Sequence, residues 1–186
     1  MSNPKIKFNS GMFLHKSIFK TEYPDKKLDN YIIEFENFYR KKESIVLKII
    51  SDVTGLKWKM KQIDVYFFDA DFPSGSFPLC LNYNGGNKEF SLFCIIHELA
   101  HDIIFYNWSE LFDNKNISPV ELEALCEFVA KKVCENIFDK ATVLRLAKSH
   151  EFSGYYRCVW DREKELEKII GHETLLQFYK KENIKW

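Results

Sequence analysis

His97, Glu98 and His101 form an H-E-x-x-H arrangement inside the apolar run Phe93-Cys94-Ile95-Ile96-His97-Glu98-Leu99-Ala100-His101-Asp102. On a helix, positions i and i+4 stack on one face, so both imidazoles can direct a ring nitrogen at one ion, about 2.0–2.1 Å away for zinc. Glu98 lies about 100° around the axis from His97 and can reach a water on that ion without ligating it. This predicts metal-assisted hydrolysis. The ion acidifies the water and polarises a carbonyl, while Glu98 takes the proton and later passes it to the leaving amine. Asp102 shares a flank with Glu98, where it either bonds to a ligand histidine or faces solvent. Cys94, three residues before His97, reads as a core thiol, since free cysteine is among the most buried residue types.

Two histidines leave a catalytic zinc short of its usual three protein ligands. The metzincin continuation would need glycine at position 104 and a ligand at 107, whereas this chain has Ile104 and Asn107. His150 and His172 come much later, and His15 stands alone in an irregular opening stretch where it reads as structural. The better source is the acidic segment 119–138, which offers Glu121, Glu123 and Glu127.

The residues His97-Glu98-x-x-His101 followed by Glu123-Ala124-Leu125-Cys126-Glu127 resemble the gluzincin group of zinc metallopeptidases, whose best-known members are thermolysin-like. The resemblance covers about residues 63–138. It implies that a downstream glutamate on a second helix is the third ligand and that an acidic residue one turn later, here Glu127, supports a histidine ligand. It also implies that the strand before the metal helix lines a substrate cleft. Among gluzincins the chain is most similar to compact intracellular forms, including the ImmA/IrrE type, although Leu125-Cys126 stands where that type has Asn and then Phe-Ala. Of the three glutamates, Glu121 is the N3 residue of a capping box opened by Ser118-Pro119, with its carboxylate expected to reach back to the Ser118 amide. Glu123 shares its face with Cys126, Glu127 and Ala130, whose small members permit close helix approach, so Glu123 is the expected ligand. Glu127 is expected one turn on, and becomes the ligand if the helices cross further along. The oxyanion of such a reaction needs a donor, for which His150, Tyr155, Tyr156 and Arg157 are candidates.

The elements that must position these groups follow from periodicity. An apolar face at Leu28, Tyr31, Ile32, Phe35, Phe38 and Tyr39, continued by Val46, Ile49, Ile50 and Val53, predicts one long helix from about Pro24 to a stop at Gly55, with Arg40-Lys41-Lys42 on its solvated side. Alternation predicts strands over about 63–68 and 77–83. Pro78 lacks an amide hydrogen, which assigns the second to a sheet edge where an extended peptide could pair. Asn84-Gly85-Gly86-Asn87 turns the chain into the metal helix. Further helices are expected through about Phe138, from Asp139 to Ala147, over 155–170, and over 172–181 after the break at Gly171. The fold class is therefore α+β and mostly helical: a small sheet with an edge strand, then the H-E-x-x-H helix and a second ligand-bearing helix, as in a minimal gluzincin-like zincin.

The 186 residues suit one metallopeptidase-like domain, 1–186, and the 46% apolar content predicts a real core. Lys plus Arg and Asp plus Glu both number 27, so charge gives no argument for nucleic acid or an anionic membrane. The opening Met1–Phe8 lacks the apolar core of a signal peptide, and no run is long enough to span a bilayer. Five cysteines without a C-x-x-C read as reduced core residues of a cytoplasmic protein. The expected function is a zinc peptidase acting on a peptide or protein substrate. The alternatives are a narrow-specificity protease of one cognate protein and a non-proteolytic, zinc-stabilised binding module. The module fits less well, because structural zinc sites fill all four positions with Cys and His and give Glu98 no task.

Overall fold

Ile6 and Phe8 point into the core while Lys5 and Lys7 face out, a period-two pattern that builds strand β1 (Lys5–Ser10) in a stretch expected to be irregular. The computed structural model describes residues 3–11, 26–68, 75–76, 78–83, 86–112, 117–149 and 154–183. His15 lies outside them. Strand β2 (Gln62–Phe68) runs parallel to β1, with Ile6 beside Ile63 and Phe8 beside Val65. A parallel pair needs a crossover, and the helices between these strands supply it.

That crossover is two helices, α1 (Lys26–Arg40) and α2 (Glu43–Thr54), and not the single helix that periodicity predicted. The chain turns at Lys41-Lys42, where the Lys42 amide donates to the Tyr39 carbonyl. Arg40 is not simply solvated. Its guanidinium donates to Glu36, to Glu43 across the break and to the Ile6 carbonyl of β1. The turn lets Tyr31, Phe35 and Tyr39 pack on the sheet while Val46, Leu47 and Ile50 face elsewhere in the core. Gly55 ends α2 as expected, in the left-handed conformation at φ 73°, its amide bonded to the Ser51 carbonyl.

Strands β3 (Gly75–Ser76) and β4 (Leu79–Asn82) complete a sheet of order β1-β2-β4-β3. β4 runs parallel to β2, and β3 pairs with β4 antiparallel. The strand expected at the edge is thus second from it. β3 takes the outer side of Leu79 and Cys80 and pairs backbone groups that would otherwise stay open there. A peptide cannot add along all of β4.

Helix α3 (Lys88–Tyr106) starts where Asn87 caps it, accepting from the Phe90 amide at 3.1 Å, just after Gly86 at φ 85°. Every residue from Ser91 to Ile104 is buried, so the helix is enclosed on all sides. The sheet and α1 contact one side of it. The short α4 (Trp108–Phe112) and α5 (Pro119–Cys134) contact others, with α6 (Lys140–Ser149) beyond. α7 (Gly154–Ile170) lies along α5, and α8 (Leu175–Asn183) closes on α2 and α4. α4 stands in the connection from Asn107 to Ile117, rich in Asn and Asp, where the sequence signals no helix. α8 begins three residues later than predicted because Thr174 caps it, accepting from the Gln177 amide. The described residues are mostly helical with a small sheet, the α+β class expected. Among them no helix is long and apolar enough to cross a membrane.

Candidate metal centre

Helix α3 presents His97 and His101 one turn apart, and α5 brings Glu123 against them. His97 Nε2 lies 3.1 Å from Glu123 Oε2 and 3.1 Å from His101 Nε2, and His101 Nε2 lies 3.4 Å from Glu123 Oε1. Close approach is possible because Cys126 and Ala130, on the same face of α5 as Glu123, are small and fully buried. Two imidazole lone pairs and a carboxylate turned on one point require positive charge there, from protons on the rings or from a metal cation. Among the described residues this is the one group of three or more His, Cys, Asp or Glu side chains whose ligand atoms converge, all within 4.8 Å.

The donor set fits a tetrahedral metal. Ligands at about 2.0–2.1 Å in tetrahedral directions stand about 3.3 Å apart; the two Nε2 atoms are 3.1 Å apart, and Glu123 meets them through different oxygens, Oε2 at 3.1 Å from His97 and Oε1 at 3.4 Å from His101. Two nitrogens and one carboxylate oxygen suit zinc and leave a position for water. Among the glutamates of α5, Glu123 is the one whose carboxylate faces both Nε2 atoms. Glu127 sits on the far side of the His97 ring, its Oε2 3.3 Å from Nδ1, so a carboxylate stands behind the ring whose Nε2 faces Glu123 and His101. Burial works against charge on His97, but Glu123, Glu127 and the nearby Glu98 outweigh it and push its pKa up to about 10. Burial likewise opposes charge on Glu123, yet His101 and His97 hold its carboxyl well below the usual range.

Glu98 is buried, on the flank of α3 between β4 and α5. Its charge is felt by Cys80 on β4, by Cys126 on α5 and by Asp102 one turn along. Asp102 does not face solvent: it is 3% exposed, and burial followed by the Glu98 charge raises its carboxyl to about 7. Cys126, enclosed among these carboxylates, is a feature the sequence reading missed. Its thiol is raised by burial and by Glu123, and only the helix crossing reveals that position. Cys94 is buried in the core, as expected.

Glu121 departs from its expected role. The Ser118 hydroxyl does accept from the Glu121 amide at 3.1 Å, but the Glu121 carboxylate does not return to the Ser118 amide. It accepts instead from Arg162 of α7, at 2.5 and 3.1 Å, and from the Tyr179 hydroxyl of α8, at 2.9 Å. Partners 41 and 58 residues away leave no local signal in the sequence. A charged acceptor shared by three helices is worth more than a cap. Glu121→Ala should cost about 2–3 kcal/mol, measured by urea denaturation, with metal content unchanged. A loss under about 0.5 kcal/mol, the usual range for a surface change, would contradict this role.

Of the oxyanion candidates, His150 lies outside the described residues. Tyr155 and Tyr156 have their backbone in α7 while their side chains lie outside the description, and Arg157 is exposed. With the geometry in place, the comparisons add no relative. No protein-family model, curated protein or solved structure matches the chain. The reading of this centre therefore rests on its own residues.

Proposed function

We propose that this chain is a zinc-dependent peptidase that hydrolyses peptide bonds in a peptide or protein segment. The carrying observation is the convergence of His97, His101 and Glu123, whose ligand atoms lie within 4.8 Å of one another at the meeting of two helices. Zinc bound there would supply Lewis acidity toward a substrate carbonyl and lower the pKa of water toward about 7. The chain's own groups do the rest. His97 and His101 orient from one rigid helix face, Glu123 offers an anionic donor from a second helix, and Glu127 fixes the His97 ring. Glu98, one residue along from His97, is the general base that takes a proton from the attacking water and returns it to the leaving amine. The burial of His97, His101, Glu98 and Glu127 keeps bulk water from screening them.

The gluzincin likeness belongs to the same proposal. It is supported by a glutamate donor on the second helix with an acidic partner one turn later, against His97. His150, Tyr155 and Tyr156 remain the proposed donors to the oxyanion. All five cysteines are free and four are buried, which supports a reducing, cytoplasmic setting. Elemental analysis of protein purified without a histidine tag tests the reading. One equivalent of transition metal per chain, zinc foremost, is expected. Less than about a tenth of an equivalent after dialysis against zinc would end it.

A further inference from the structure

Along the ligand face of α3, exposure rises from His97 at 2% to His101 at 8%, and then to Phe105 at 56% one turn further. Glu123, opposite, keeps 26% of its side chain exposed. On this face Phe105 is the first exposed side chain past the two histidines. Around the axis, Phe105 falls about 40° from His101 and about 20° from Glu98. It stands on the sector between a ligand and the base. The ring is large and apolar, and it meets Tyr106, itself 43% exposed, edge to face at 5.6 Å. Two adjacent exposed aromatics, Phe105 being one turn beyond His101, offer a surface for an apolar group.

We propose that Phe105 is a specificity-determining residue of the proposed peptidase and receives an apolar side chain of the peptide substrate. The inference rests on that functional reading. Phe105 lies about 6 Å along the axis from His101 and about 12 Å from His97. An extended peptide advances about 3.3 Å per residue, so the favoured side chain is about two to four residues from the cleaved bond. The continuity of one helix face, from the ligands to Phe105, is what selects the substrate as occupant.

The test is cleavage of a mixed peptide library by zinc-loaded protein, with cut sites and flanking residues read by mass spectrometry, for the wild type and Phe105→Ser. The wild type should favour apolar residues at a single position in that window by about 10-fold or more in kcat/KM. Phe105→Ser should bring this ratio to about 1 while retaining wild-type zinc content. A ratio between peptides within one sample is insensitive to a general loss of folded enzyme. A preference that survives in Phe105→Ser overturns the proposal and leaves the peptidase reading intact. A wild-type dimer that Phe105→Ser converts to monomer, with the cleavage preference unchanged, overturns it in favour of self-association. No zinc-dependent cleavage by the wild type overturns the peptidase reading, and this proposal with it.

Discussion

Glu98→Gln should keep its metal and lose peptide hydrolysis by a factor of about 10² or more. The amide has the volume of the carboxylate, so the packing between β4 and α5 persists. What disappears is the ability to take up a proton. Glu98 does not belong to the converging donor group, which is His97, His101 and Glu123, and zinc content should stay at one equivalent. Stability should not fall either. Glu98 and Asp102 are like charges at i, i+4, both buried, and removing one relieves the other. The combination of full metal, undiminished stability and lost turnover separates a general base from a ligand and from a packing residue. If the variant loses zinc, Glu98 is a ligand and the mechanism fails. If it retains more than about a tenth of wild-type kcat/KM, another group carries the proton.

Glu123→Ala should lose zinc more severely than any other single change on α5. The substitution deletes the one anionic donor facing both histidines and leaves two ligands where a catalytic zinc needs three. Glu127→Ala should weaken binding about 10–100-fold, because it frees the His97 ring without removing a donor. Glu121→Ala should leave affinity unchanged, its carboxylate being committed to Arg162 and Tyr179. Competition with a chromophoric chelator gives the three affinities on one scale. An order with Glu127→Ala worst would place the ligand one turn along α5, and equal losses in all three would mean that folding, and not coordination, is being measured.

The sequence by itself determined what lies on single elements. The i, i+4 spacing fixes His97 and His101 on one face of any helix that contains them, and Glu98 must then sit on the adjoining flank. Caps at Asn87, Ser118 and Asp139 and the stop at Gly55 are equally local, since each depends on backbone groups within four residues. The helical periodicity of α5 placed Glu123 and Glu127 on a shared face, and the structure uses both from that face. Strand β1 was missed, because an alternation of Ile6 and Phe8 with lysines over six residues is a weak signal.

Tertiary structure decided everything that needs two elements to meet. The break at Lys41-Lys42 arises because Arg40 is drawn to Glu43 and to β1, and the apolar period alone runs through it. The position of β4 inside the sheet depends on β3 pairing with it, while Pro78 constrains only its own backbone. Glu121 serves α7 and α8 instead of its own cap because two donors, Arg162 and Tyr179, arrive from distant segments and bind a carboxylate more strongly than one local amide does. Asp102 could have faced water on an outer helix. It is buried because α3 is enclosed on every side, and enclosure is a property of the packed elements, which periodicity along one strand of chain does not encode.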